Sequence, residues 1–534
     1  MENKSNYAYL IFKDKALTSG VEPFFPKKNL FENLKIEKQK CSIYGYFLPL
    51  ENGAYDLGKM ITMCETASWD YFSHLSAKFV LFVYFKKERE LAVVTDVYGS
   101  FPVYWLKDKN RFIISLNIQF LTEMLDRVKI NTHTLLQFVS RETGLGTSTL
   151  IESINKVPAA CILKVKTDLT WSLESFLNKL IFLQYDAYAD WDEFKERFNW
   201  TFREVVTDYV RAVGNIPLVA DISAGFDSTA VAYMLKKASK NEFVCLNWDQ
   251  ALPYNSQNKK IIEKFSLYHD LSTNFLIHDF NNLKKSLFVA EEYPYPMNGY
   301  WALKHLQKIR SLGSFVNFGG HGGDELLSAK PISDIFPYSP YIELFKMVSK
   351  EKNGLSLIMG ESGIRRLLRH DYYNSIMYYP SLLSLSALNN NLMDFQFCWD
   401  LDVWVLSPLT DLRIITTMLK APKRLTSISK SDFWRCVYPE IHLPEQSLDS
   451  NQQNFENGFN HSFEIGRDLV VSILENSELE KLGTFEISSI KRDLIKGNIA
   501  KYIENGGSLV FLFNLLKIET YLKSQAQAKT VSFD

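Results

Sequence analysis

The 534-residue chain has almost no net charge: 60 Lys and Arg stand against 61 Asp and Glu, leaving −1. No general basic field exists to hold nucleic acid or an anionic membrane, so any polyanion must be gripped locally. Cysteine is scarce too. Cys41, Cys64, Cys161, Cys245, Cys398 and Cys436 are widely spaced, without a CxxC pair or a histidine cluster of metal-ligand spacing, which argues against a disulfide framework or a zinc centre and for a reducing compartment. Long apolar runs are missing: Phe79 to Phe85 and Ser508 to Leu516 are among the longest, and both are too short to span a bilayer. The N-terminus, MENKSNYAYLIFKDKAL, breaks its apolar stretch with charges and offers no small-residue cleavage site. A soluble cytoplasmic protein is the expectation. Gly and Pro number only 24 and 17, which excludes collagen-like and largely disordered chains.

What is present is aromatic residues, 14% of the chain, and two regions of different pattern. To about Thr170 the runs YAYLIF, CSIYGYFL, KFVLFVYF, ELAVVTD, FPVYWL, RFIISL and CILKVK predict strands separated by polar turns. A change of pattern follows, and a helix is expected from Trp191 to Val213. From Ile216 an α/β alternation runs through strand IPLVADI, helix TAVAYMLKKA, strand EFVCLNW, helix NSQNKKIIEKFSLY, strand NFLIH and strand SFVNFGG. Beyond residue 360 the apolar spacing is mostly helical. Two domains, 1–185 and 186–534, are the expected division.

The chemistry-bearing stretch is Asp221-Ile222-Ser223-Ala224-Gly225-Phe226-Asp227-Ser228-Thr229, between a buried strand and an amphipathic helix. Small residues at a helix start expose backbone N–H groups and the positive end of the helix dipole, which suits a phosphate. Ser223 and Ser228 add hydroxyls, and Asp227 can hold Mg2+. A plain turn with Asp227 or Ser228 as N-cap would use the same residues. The pattern is neither a Walker loop nor a GxGxxG fingerprint. About a hundred residues on, Gly319-Gly320-His321-Gly322-Gly323-Asp324-Glu325 follows an apolar strand. Its glycines permit close backbone approach to a ligand, and Asp324 offers a second hard oxygen ligand. His321 is either structural or a base titrating near pH 6.5.

The first stretch resembles the SGGxDS pyrophosphate loop of ATP pyrophosphatases, with Ala224 at the second glycine, and the chain around it resembles the asparagine synthetase family. The second resembles that family's (E/G/Y)G(A/S/G)DE segment. Ser407-Pro408-Leu409-Thr410-Asp411-Leu412-Arg413 resembles its PFLD(x)R helix start. Asp96-Val97-Tyr98-Gly99-Ser100-Phe101-Pro102-Val103-Tyr104 and Ile154-Asn155-Lys156-Val157-Pro158-Ala159 resemble the D(x)xGxxPLYY hairpin and KVPPG stretch of class II glutaminase domains. The resemblance implies an α/β architecture: a degenerate glutaminase-like, Ntn-type sandwich followed by a parallel-sheet synthetase domain of the PP-loop kind with a helical tail. It implies ATP and Mg2+ as cofactors, with the metal on Asp227 and Asp324. His321, Asp324 and Asp227 are the implied catalytic residues. Ile222, Ser223, Ala224, Gly225, Phe226, Asp227, Ser228, Leu246, Gly320, Gly322 and Gly323 are the implied nucleotide contacts.

Glu2, rather than the cysteine nucleophile of a working glutaminase, follows Met1, so no ammonia is expected from glutamine. The GHGGD form and the tail GGSLVFLFNLLKIETYLKSQ resemble the lasso-peptide cyclase branch, of the microcin J25 type. That implies a precursor core peptide as substrate, with a leader peptidase and a leader-peptide recognition element as partners. A β-lactam synthetase-like ligase, a non-catalytic relative and a true asparagine synthetase are the alternatives. The aromatic stretches Glu291 to Trp301 and Tyr372 to Tyr379 are candidates for a peptide cavity. One departure stands out: where family members place a lysine that neutralises the α-phosphate, Leu443 to Asn454 has no Lys or Arg. Either Lys430, Lys423 or Arg424 supplies that charge, or the stretches are out of alignment, or activity is reduced.

Overall fold

The computed structural model describes residues 9–13, 16–17, 27–51, 56–139, 147–176, 188, 190–240, 243–250, 258–278, 283–288, 299–323, 326, 358, 395–422, 428–441, 456–498, 501–502 and 508–533. The N-terminal part is built from strands β1 (Tyr9–Lys13), β2 (Ala16–Leu17), β3 (Glu32–Glu37), β4 (Cys41–Pro49), β5 (Ala77–Phe85), β6 (Glu90–Thr95), β7 (Val103–Lys107) and β8 (Arg111–Ser115). Strands β9 (Arg127–Ile130), β10 (Ile154–Val157), β11 (Cys161–Lys166) and β12 (Trp171–Ser175) complete it. Two sheets form, in the orders β12-β11-β6-β5-β4-β3 and β10-β7-β8-β1-β2. The second is buried on both faces. Val103, Trp105, Phe112 and Ile114 enter the core shared with the first sheet, while Tyr104, Leu106 and Ile113 enter another core on the far side. That is why FPVYWL and RFIISL read as continuous apolar runs instead of alternating ones.

The far-side core is supplied by the end of the chain. Phe511, Leu512, Leu515, Leu516, Ile518, Tyr521 and Leu522 of the helix Ser508–Ala528 are buried in it. The chain then adds β18 (Thr530–Phe533), parallel to β9. The last segment therefore crosses the 185/186 division and packs on the N-terminal sheet. The expectation of a helical tail missed this strand, since four residues of mixed polarity carry no periodic signal.

The helix Trp191–Val213 has the expected bounds, with Asp190 accepting from Glu193 N as N-cap and Gly214, at φ +73°, ending it. Its buried Phe194, Phe198 and Phe202 lie four residues apart on one face and meet Phe433, Trp434 and Tyr438. Beyond it, strands β13 (Leu218–Asp221), β14 (Phe243–Gln250), β15 (Thr273–His278), β16 (Val316–Phe318) and β17 (Trp404–Leu406) form a wholly parallel sheet in the order β15-β14-β13-β16-β17. The order reverses direction between β13 and β16. At such a switch point the connections leave the two strands towards opposite sides and open a crevice at the carboxyl ends, where open α/β sheets bind ligands. Strand β17 was missed by the helical expectation beyond residue 360. Its WVL is three residues long and buried beside β16.

Candidate active site

Both sequence-selected loops leave the sheet at that crevice: Ile222–Gly225 after β13, and Gly319–Gly323 after β16. Ile222 N donates to Leu246 O at 2.8 Å, and Asn247 Nδ2 donates to Ile222 O at 2.7 Å, so β14 holds the first loop at its root. Ser223 Oγ lies 2.7 Å from Ser228 Oγ and accepts from Gly225 N at 3.0 Å, and Thr229 Oγ1 donates to Gly225 O at 2.6 Å. These bonds set the loop without using a side-chain cap: Gly225 is the N-cap of the helix Phe226–Ala238 and no side chain caps it. Such a helix start is where an anion is stabilised by amide hydrogen bonds and dipole together. Ala224 is buried and is absent from the non-glycine residues of positive φ, so alanine at the second glycine of the loop needs no left-handed backbone.

The second loop presses onto the first. A Cβ on Gly320 would lie 2.5 Å from Ser228 N and 2.8 Å from its Cα, and one on Gly323 would overlap the Asp227 side chain. Gly322 takes φ +92° against Thr410, which places the Ser407–Arg413 segment behind this loop. Leu246, Ile222, Phe226 and Asp227 are buried, Ser223 is exposed, and Gly320 and His321 are half-buried. Asp324 and Glu325 lie outside the described residues, as do Lys423, Arg424, Leu443 and most of the two aromatic stretches, including all of Tyr372 to Tyr379.

Asp227 is held from a third element. The helix Lys430–Val437 carries Lys430 and Trp434 four residues apart on one face; Trp434 Nε1 donates to Asp227 Oδ1 at 2.8 Å, and Lys430 Nζ pairs with Oδ2. Of the three cations considered, Lys430 is thus the one that the described residues place beside the first loop. This arrangement does not by itself make the expected magnesium site: both oxygens of Asp227 already face donors, and no group of three His, Cys, Asp or Glu side chains among the described residues is placed to hold a metal. Trp434 was not foreseen, because only docking of this helix brings it to the loop.

A second group lies at the ends of β13 and β16, where Asp221, the first residue of the sequence-selected stretch, meets partners that were not foreseen. Asn317 Nδ2 donates to Asp221 Oδ2 at 2.8 Å. His305 Nε2, from the helix Gly299–Ser311, lies 2.9 Å from Asp221 Oδ1 but off the line of a good hydrogen bond. Burial would raise the Asp221 carboxyl; His305 and Asn317 outweigh it and hold the group below the usual carboxylate value.

In the N-terminal part, Asp96 accepts from Phe79 N, Tyr98 N and Ser100 N at 2.7, 2.9 and 3.1 Å, which fixes the hairpin after β6. Cys41, Cys64 and Cys161 are all buried, and burial raises each thiol, that of Cys161 to about 12. None of the three is poised as a thiolate nucleophile.

Residues 56–176 match the family model described as a glutamine amidotransferase domain. No curated protein matches the chain. Among solved structures, the allosteric regulatory enzyme of purine biosynthesis is 8% identical over 46% of this chain and 62% of its own, with a TM-score of 0.20. Glutamine phosphoribosylpyrophosphate amidotransferase from B. subtilis, complexed with ADP and GMP, is 7% identical over 54% and 64%, with a TM-score of 0.17. The match thus spans less than two thirds of either structure. The chain combines an N-terminal stretch that matches the glutamine amidotransferase domain model with a parallel-sheet region, and among the described residues no helix is long and apolar enough to cross a membrane.

Proposed function

We propose that the protein is an asparagine synthetase-like, AMP-forming amide ligase that closes an isopeptide ring in a precursor core peptide of the lasso type. The observation that carries this reading is the seating of Gly320 and Gly323 on Ser228 and Asp227 at the sheet's switch point, beside a helix start that no side chain caps. The triphosphate of ATP lies along Ser223–Ser228 in this reading, and Lys430 supplies charge beside the α-phosphate. A side-chain carboxylate of the peptide attacks the α-phosphorus, pyrophosphate leaves, and an acyl-adenylate remains. The peptide's N-terminal amine then attacks the acyl carbon, its proton passes to His321, and AMP departs with the former carboxylate oxygen. The peptide has lost one water. Holding amine and acyl group together supplies much of the rate, and charge placed where it develops supplies more. The buried thiols of the N-terminal domain favour an amine already on the substrate over ammonia cut from glutamine.

The test is incubation of the full chain with ATP, Mg2+ and candidate core peptides, with and without a leader peptidase, followed by mass spectrometry and AMP assay. A peptide lighter by one water together with AMP is the expected result. AMP with small amino acids alone would make the protein a small-molecule ligase, and no AMP under any of these conditions would make it a non-catalytic relative.

A further inference from the structure

The groups at the ends of β13 and β16 form a directed chain. Trp248 Nε1 is a donor only and points to His305 Nδ1, so Nδ1 accepts and the ring proton sits on Nε2, the nitrogen facing Asp221. Asn317 adds its amide donor to the other carboxylate oxygen. Asp221 is thereby held ionised, with its orientation set from two elements. Across Gly319 lies His321: a Cβ on that glycine would stand 3.0 Å from His321 Cδ2, 3.5 Å from its Nε2 and 3.8 Å from Asp221 Oδ2. The absence of a side chain at Gly319 leaves the imidazole edge and the carboxylate on the same small gap.

We infer that Asp221 is the positioning residue for His321, and that Trp248, His305 and Asn317 hold Asp221 for that role. The inference rests on the ligase reading above. In this reading Nε2, on the Gly319 side of the ring, keeps the proton, and Nδ1 is the nitrogen that accepts the proton released by the attacking amine. The imidazolium so formed is stabilised by the adjacent carboxylate, the logic of a base oriented by a third group. Among the described residues, the other carboxylates on elements packed against this loop are Asp227, paired with Lys430, and Asp411, paired with Arg413. Both are paired locally, and Asp221 is the carboxylate that this reading assigns to His321.

Histidine-labelled full-length protein titrated by NMR provides the test, with the His321→Ala spectrum assigning the resonance. In Asp221→Asn the His321 pKa is expected to fall by about one unit, and Gly319→Ala, which puts a methyl group between the two side chains, should move it the same way. In ring closure Asp221→Asn should lower kcat at least tenfold with KM for ATP within twofold, and its acid limb should move to lower pH. A purely structural role for Asp221 would not shift that limb. Wild-type protein that makes no AMP overturns the ligase reading. Wild-type protein that closes rings, with Asp221→Asn matching it in titration and in kcat, overturns this inference alone.

Discussion

Two buried aspartates at helix starts are held in different ways. Asp411 is fully buried, caps the helix Leu412–Leu419 through Arg413 N at 2.9 Å, and receives Ser76 Oγ at 2.8 Å from the N-terminal domain. Arg413 grips both its oxygens, through Nε at 3.0 Å and Nη2 at 3.1 Å, and reaches Asp208 at 2.6 Å with Nη1. Asp227 has instead an ammonium on a flexible stem and one indole N–H, beside a helix start with no side-chain cap. A planar guanidinium fork with every acceptor filled makes a permanent joint between domains. An ammonium that retains some exposure can turn to an incoming phosphate, so the second arrangement is suited to exchange.

The sharpest test of that contrast is stability. Asp411→Ala, which leaves the Arg413 guanidinium without its main partner, is expected to cost about 3–5 kcal/mol in urea denaturation. Asp227→Ala should cost no more than about 2 kcal/mol, because Lys430 can reach water. Equal losses would erase the distinction. Activity should show the reverse order: Asp227→Ala should lower AMP formation by a factor of at least about 100, the scale of losing one preorganised electrostatic group. Gly320→Ala pushes a methyl group into the Ser228 backbone and should cost about 1–3 kcal/mol, with ATP affinity reduced, as calorimetry would read. Unchanged ATP binding there would separate the two loops functionally.

The smallest effect belongs to a surface carboxylate. Hydrogen bonds from the Tyr44 hydroxyl foremost, with Lys86 and Ser42, hold the half-exposed Glu37 down to about 2. Its stabilisation is complete above the ordinary value of 4.5 and is lost as pH falls from there through 2. Glu37→Gln should therefore cost at most about 1 kcal/mol at neutral pH, most of it gone by about pH 2.5, since exposed pairs are screened by solvent.

The strands of the N-terminal sheets and the helix Trp191–Val213 were legible because apolar period and length agreed. The loops at Ser223 and Gly319 were legible because glycine and small residues cluster there for backbone reasons. Three-residue β17 and the mixed-polarity β18 carry no period to read. Asp221 stood in the first stretch without a role of its own, and nothing local marked Asn317. Lys430 was only one of three cations considered, and nothing local marked Trp434.

Local order alone settles how the chain turns from strand to small-residue loop to helix, since small residues, caps and apolar spacing act within a few residues. Which side chains meet at the crevice is decided by tertiary structure: 94 residues lie between the end of β13 and the start of β16, yet the two are neighbours in the sheet, and Lys430 comes 112 residues after the end of β16. The physical reason is that parallel pairing and helix docking are driven by buried apolar area. That area sets which polar ends are carried together, and no short stretch of sequence records it.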